Sequence, residues 1–316
     1  MASTIASCLE TGKDDDTAIA APGRPGLTFA ALRAHAAKTV VQLNARGIGR
    51  NDRVAIVLPN GPEMASAFLT IGAGATTAPL NPGYREDEFD FYLSDLNAKA
   101  IVVEKGNESP AVTVAKNHKL QVLEIEWSES DPAGAFSFVG ESPSSAVSSS
   151  MATANDIALV LHTSGTTSRP KIVPLSQKNV TASASHIGDI LSLSSEDTCM
   201  NIMPLFHIHG LIAAVLSSVT AGGTVFCCPP FNALRVFSWL DEANASWYTA
   251  VPTMHQAILS RAPRNKEILD KLNLRFIRSS SSSLPPPVMQ ELEKTFSAPV
   301  AESYGMTEAA HQMASN

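Results

Sequence analysis

Short runs of β-branched and apolar residues alternate along this chain with longer segments of helical period, and that alternation limits its possible folds more than any other feature. The runs are VAIVL (54–58), AIVV (100–103), QVLEI (121–125), IALVLHT (157–163), TVFCC (224–228), SWYTAV (246–251), LRFIRS (274–279) and APVAES (298–303). Several are apolar at every position, as parallel strands covered by helices on both faces must be. Between them, residues 29–44 carry an apolar stripe at Leu32, Val40 and Leu43, with Thr28 placed to cap the start and Gly47 beyond the end. Residues 62–71, 86–96 and 287–295 read as helices too. The alternation predicts an α/β fold with mainly parallel sheets. A stretch rich in Ser, Ala, Gly and Pro, residues 128–155, reads as a linker and divides the chain into two strand–helix blocks, 1–150 and 151–316.

At 316 residues the chain exceeds what one compact core usually takes, and 44% hydrophobic content supplies enough apolar material to bury. A formal charge of −7 with no long basic cluster excludes a nucleic-acid surface. Cys8, Cys199, Cys227 and Cys228 lack zinc-finger or CxxC spacing, which suits a reducing compartment, and the N-terminus has no apolar core of signal-peptide length. From Thr198 to Leu234 there is no Lys, Arg, Asp or Glu, and residues 210–228 are nearly long enough to span a bilayer. Gly222-Gly223 breaks that run and Pro229-Pro230 closes it. The prediction is a buried helix, a glycine turn and a buried strand, with no membrane span.

Three segments carry chemistry. The strand IALVL runs into His162-Thr163-Ser164-Gly165-Thr166-Thr167-Ser168-Arg169-Pro170-Lys171. Such a loop suits a polyphosphate: glycine lets the backbone approach, hydroxyls and amides donate to phosphate oxygens, and lysine supplies a point charge. It is not a Walker A loop, since GxxxxGK[ST] is absent. The second segment is Pro204-Leu205-Phe206-His207-Ile208-His209-Gly210, where an imidazole could donate to a reacting carboxylate or serve only as a satisfied core histidine. The third is Glu302-Ser303-Tyr304-Gly305-Met306-Thr307-Glu308 at the end of a strand, where ligands of open α/β sheets gather. Between the last two lies the small-residue strip Arg278-Ser279-Ser280-Ser281-Ser282-Ser283-Leu284-Pro285.

TSGTTSRPK resembles the signature loop of adenylate-forming enzymes, a family that includes acyl-CoA synthetases, luciferases and peptide-synthetase adenylation domains. The family usually has glycine where this chain has Ser168. PLFHIHG resembles its P-x-x-H-x-x-G segment, the serine strip its Gly-Ala-Ala-Pro strip, and YGMTE its YGxTE segment, all in the family's order. The block from Leu27 to Leu96, with its PLNPGY turn, matches the opening lobe, so the resemblance runs from Gly26 to Met313.

The resemblance implies that Thr163, Ser164, Gly165, Thr166, Thr167 and Lys171 hold the β- and γ-phosphates of ATP. It also implies that Ser281, Ser282, Ser283, Glu302, Ser303 and Tyr304 line the adenine pocket. Thr307 would bond the α-phosphate, Glu308 would bind Mg²⁺, and His207 would stand between the carboxylate and nucleotide sites. The implied reaction is carboxylate plus ATP giving acyl-adenylate and pyrophosphate, followed by thiol attack from CoA. The closest likeness is to oxalate–CoA ligases and peroxisomal CoA synthetases. His207, His209, Ser280 and His311 suit a small, strongly acidic substrate such as oxalate; a medium-chain or aromatic acid is the alternative within the class, and a non-catalytic nucleotide-binding fragment the alternative outside it. A cytoplasmic or peroxisomal location is expected. Family members continue beyond this point with a ribose-binding aspartate, a hinge and a small domain carrying the adenylation lysine. The chain therefore reads as part of a longer enzyme, without that C-terminal domain and without independent turnover.

Overall fold

The computed structural model describes residues 2–140, 150–163 and 170–316. Its strands are β1 (Thr17–Ala20), β2 (Leu27–Thr28), β3 (Arg53–Ile56), β4 (Thr76–Pro79), β5 (Ala100–Glu104), β6 (Gln121–Glu126), β7 (Ser137–Phe138), β8 (Ile157–Thr163), β9 (Lys171–Ser176), β10 (Thr198–Asn201), β11 (Thr224–Cys227), β12 (Trp247–Ala250), β13 (Phe276–Ser279), β14 (Val300–Met306) and β15 (His311–Ser315). Among the described residues they form two sheets. The first runs β15-β14-β13-β12-β10-β11-β1-β2 and the second β7-β6-β5-β3-β4-β8-β9. Interior strands of both are parallel, while β2, β15, β7 and β9 pair antiparallel at the edges. The predicted α/β class with mainly parallel sheets holds.

Alternation along the strands builds the layers. In β5, Ala100 and Val102 face one apolar cluster while Ile101 and Val103 face another. In β11, Val225 and Cys227 enter that same first cluster, and Phe226 enters a third. One core is thus shared between the sheets, and each sheet has a further core on its outer face. The shared layer holds Pro62–Gly72, every residue of which is buried, together with Phe29–Ala45, Gln177–Ile190 and the segment after His207. Thr28 caps Phe29–Ala45 by accepting from the Ala31 amide at 3.2 Å, and Gly47 follows at φ +75°, as the sequence predicts.

The charge-free stretch folds as predicted into helix, turn and strand, but its helix opens as a π-helix, His209–Leu216, before one α-turn, Ser217–Thr220. Among the described residues no helix is long and apolar enough to cross a membrane. The sheets do not divide the chain at residue 150. β8 and β9 complete the second sheet, and β1 and β2 complete the first. Within 128–155, only β7 is regular among the described residues. Strands β1, β4, β9, β10 and β15 escape a sequence reading because they are short or polar; β9 also holds Pro174, tolerated because the strand lies at an edge.

Candidate active site

β8 carries Thr163 to its carboxyl end, and β9 returns with Lys171 directly opposite it. Lys171 is exposed there. Ser164, Gly165, Thr166 and Thr167, assigned to phosphates by resemblance, lie outside the described residues. Thr163 Oγ1 donates to Glu308 Oε1 at 3.4 Å, so two motifs more than a hundred residues apart in sequence meet at one point. Glu308 and Thr307 sit in the short turn Thr307–Ala309 between β14 and β15. That turn is anchored from the shared layer, where Ser183 Oγ donates to the Ala310 carbonyl at 2.6 Å.

The serine strip follows β13. Ser281, Ser282 and Ser283 line a cavity of about 560 Å³ with Ser303, Tyr304 and Gly305 of β14. Ser281 has φ +70°, the left-handed region where glycine is easiest. Glu302 also lines the cavity, but its Oε1 accepts the Leu284 amide at 2.7 Å, so it ties the strip to β14. Ser280 spends its hydroxyl on the Ser303 carbonyl at 3.0 Å. Ser303 Oγ is buried with no partner among the described residues. Tyr304 stands 66% exposed at the mouth.

His207 lies on the loop before the π-helix. Asn60 holds that loop: its Oδ1 accepts the Leu205 amide at 2.8 Å and its Nδ2 donates to the Cys228 carbonyl at 3.1 Å. The surrounding protein pushes the His207 imidazole below its ordinary value. Two residues on, His209 is buried. It belongs to a cluster whose centre is Arg278, read from sequence only as the first residue of the strip.

Arg278 is fully buried. Its Nη1 donates to His209 Nε2 at 3.1 Å, and its Nη2 donates to His311 Nε2 at 3.3 Å and Gln312 Oε1 at 3.0 Å. Thr249 Oγ1 also stands 2.6 Å from His209 Nε2. A guanidinium can only donate, so both Nε2 atoms accept, and neutral His209 must donate from Nδ1 to Ser281 Oγ, 2.9 Å away. Burial and then the Arg278 charge hold His209 well below the ordinary imidazole range and take His311 down to about 3. Burial lowers Arg278 itself to about 10. Among the described residues no carboxylate pairs with Arg278, and its Nε has no partner. A desolvated cation between two neutral imidazoles is costly to bury without a counter-charge.

The backbone is bent to make this cluster. His311 has φ +102°, and its carbonyl crosses so close to Gly305 that a Cβ on Gly305 would lie 1.8 Å from the oxygen. Only glycine fits there. The structure thus brings His209, His311 and the serine strip together, sets His207 at the entry to the same helix, and leaves Ser280 bonded to backbone. Sequence reasoning missed Arg278, Thr249 and Gln312. One signal was available: Arg278 follows Phe276 and Ile277 in the strand-like run LRFIRS, a place where a charge would be buried.

The AMP-binding enzyme family model matches residues 9–316. A probable CoA ligase from Humulus lupulus is 42% identical over 313 residues, covering 96% of this chain and 58% of that protein. An oxalate–CoA ligase from Arabidopsis thaliana is 41% identical, covering 96% of this chain and 60% of its own length. The chain therefore spans somewhat over half the length of these relatives. Among solved structures, ATP-bound MatB from Rhodopseudomonas palustris superposes with a TM-score of 0.84 at 27% identity, over 100% of this chain and 62% of that one. With the family model matched over nearly the whole length, the chain belongs to the AMP-binding enzymes, the adenylate-forming family of acyl-CoA ligases.

Proposed function

We propose that the protein carrying this chain activates a small dicarboxylic acid, oxalate foremost, as an acyl-adenylate and transfers the acyl group to CoA. The observation that supports this substrate is Arg278, a buried guanidinium with no carboxylate partner among the described residues. One carboxylate of a diacid would supply the missing charge. The other would then face the nucleotide cavity. A medium-chain or aromatic tail would have to lie against the same guanidinium and leave it unpaired, which a buried charge tolerates poorly.

In the proposed reaction a carboxylate oxygen attacks the α-phosphorus of ATP and pyrophosphate leaves. The CoA sulfur then attacks the acyl carbon, and AMP leaves. Lys171 would neutralise phosphate charge beside Thr163, with the residues 164–167 that resemble the phosphate loop. Thr307 would donate to the α-phosphate, Ser281–Ser283, Ser303 and Tyr304 would hold the adenine, and His207 would orient the attacking carboxylate. Glu308 suits Mg²⁺: it is a lone exposed carboxylate, a hard oxygen donor, and Mg²⁺ in nucleotide sites takes one or two carboxylates beside phosphate oxygens. Bound there, the ion would supply charge neutralisation on the triphosphate. We place the enzyme in the cytoplasm or the peroxisome.

The test on this chain is ligand-dependent thermal stabilisation. Oxalate should raise the melting temperature and octanoate and benzoate should not; the reverse order would refute the assignment. In the protein that carries this chain with the additional length of its relatives, oxalate should drive AMP release from ATP in the presence of CoA.

A further inference from the structure

Strand order reverses within each sheet. In the first sheet β10 lies between β11 and β12, and the cluster of Thr249, His209 and Arg278 stands beside that reversal. In the second sheet β3 lies between β4 and β5. Ligands of open α/β sheets gather outside the carboxyl ends of the strands at such reversals, because the connections diverge there and leave a crevice. At the carboxyl ends of β3 and β5 a cavity of about 480 Å³ opens, closed on its far side by residues that follow β1 and β11. Small-molecule sites usually hold roughly 300–1,000 Å³.

The walls are Pro22, Pro59, Pro62, Pro229, Pro230 and Trp127. Proline-lined walls are stiff, so the cavity is preformed. Its charges do not balance. Glu63, Glu104 and Glu129 face it against a single cation, Arg24. That cation is already committed: its Nη1 donates to Glu63 at 2.5 Å, its Nη2 donates to the Asp131 and Pro132 carbonyls at 3.2 and 3.1 Å, and its guanidinium lies 4.8 Å from the Trp127 ring centroid. The N-terminus of Pro62–Gly72 is met by Glu63 in its own first turn. Glu104 is half-buried at the end of β5 and, among the described residues, has no ion-pair or side-chain hydrogen-bond partner. Burial, and then Glu63, raise its carboxyl above the ordinary range.

We infer that this cavity is a second ligand site, for a small organic ammonium ion whose apolar body lies against Trp127 and the prolines and whose charge meets Glu104. Its occupancy reaches the candidate active site through Asn60, which lines the cavity and bonds the Leu205 amide two residues before His207. The proposal does not rest on the oxalate reading, and its test contains no acid, ATP or CoA.

The 316-residue chain is titrated with phenethylamine, with 2-phenylethanol as the neutral isostere and phenylacetate as the anion, by calorimetry and tryptophan fluorescence. Phenethylamine should bind saturably at one site, and Glu104→Gln should weaken it about tenfold or more, as loss of a partly desolvated charge partner does. Phenylethanol should bind about as weakly to wild type as the amine does to Glu104→Gln, and phenylacetate should not bind. Trp127→Phe should abolish the fluorescence change, since Trp239 and Trp247 are buried elsewhere. If Glu104→Gln does not fold, Glu129→Gln at the exposed rim should still weaken the amine measurably. Equal affinity for amine and alcohol, tighter binding of the anion, or no saturable heat would overturn the assignment.

Discussion

Replacing Arg278 with methionine should leave the fold nearly as stable as before while abolishing recognition of the acid. The side chain is fully buried, and among the described residues it faces two imidazoles, a threonine hydroxyl and an amide oxygen, with no anion. Loss of the guanidinium leaves His311 Nε2 and Gln312 Oε1 without a donor, at about 1–3 kcal/mol each. His209 Nε2 keeps Thr249 at 2.6 Å. Against that loss, removal of an uncompensated buried charge recovers several kcal/mol, and isosteric apolar replacements of buried ions are often neutral or stabilising by about 1–4 kcal/mol. The two nearly cancel, so melting without ligand should change little. Ligand linkage behaves differently. At a hundredfold excess over Kd, oxalate should stabilise the wild type by about 2.7 kcal/mol, and Arg278→Met by none. A second readout is the His311 titration, held to about 3 by burial first and Arg278 second, which should move upward in the variant. The assay is thermal unfolding with and without oxalate, with NMR titration of the imidazoles. A variant that unfolds outright, or that keeps its oxalate stabilisation, would show Arg278 to be a structural cross-brace.

Lys171→Ala should weaken ATP binding by about tenfold or more with little change in melting temperature, because an exposed phosphate counter-charge adds nothing to the core; a large drop in melting with unchanged binding would make it structural. Glu308→Gln keeps size and removes charge, so Mg²⁺-dependent nucleotide binding should fall while ligand-free stability holds, as equilibrium binding across a Mg²⁺ series would show. Gly305→Ala should cost about 1–3 kcal/mol of stability by overpacking against the His311 carbonyl, and should displace His311 from Arg278. Asp156 accepts from Arg50, Thr153 and Asn51, and the Arg50 bond, first among these, holds its carboxyl below the ordinary range. A depressed carboxyl stabilises in full above its unfolded value of about 4 and loses that contribution as pH falls through the folded value, so Asp156→Asn should cost about 1–3 kcal/mol at neutral pH. The gap from wild type should narrow progressively in denaturant melts below pH about 4.

Much of the fold was legible because burial on both faces writes itself into composition. VAIVL, AIVV and IALVLHT are apolar on alternate faces for two different cores, and they are strands. β10, with sequence TCMN, was not legible, since its burial comes from neighbours it meets only after folding. The candidate site divides in the same way. Thr163, Lys171 and Glu308 could be proposed because each lies in a segment that resembles a family motif, and Thr163 and Glu308 do meet in the fold. Arg278 could not be assigned a role, because what distinguishes it is the absence of a counter-charge, which no local window contains. The φ of +102° at His311 was hidden for a similar reason: nothing in HQMAS announces it until the close pass against Gly305 is in place.

The exchange of strands across residue 150 has a consequence for how the chain is made. Ile19 of β1 pairs with Val225 of β11, so the first strand synthesised has no neighbour on that side until some two hundred further residues exist. At about 5–20 residues per second, β1 waits on the order of 10–40 s with an open edge. The second sheet likewise lacks β8 and β9 until synthesis has passed the serine-rich stretch. Cleavage in that stretch would therefore leave two pieces, each holding strands that belong to the other's sheet, and neither could close the core that the sheets share. The nascent chain must remain protected until its middle is made, and folding of the whole should be slow, as long-range parallel pairing requires.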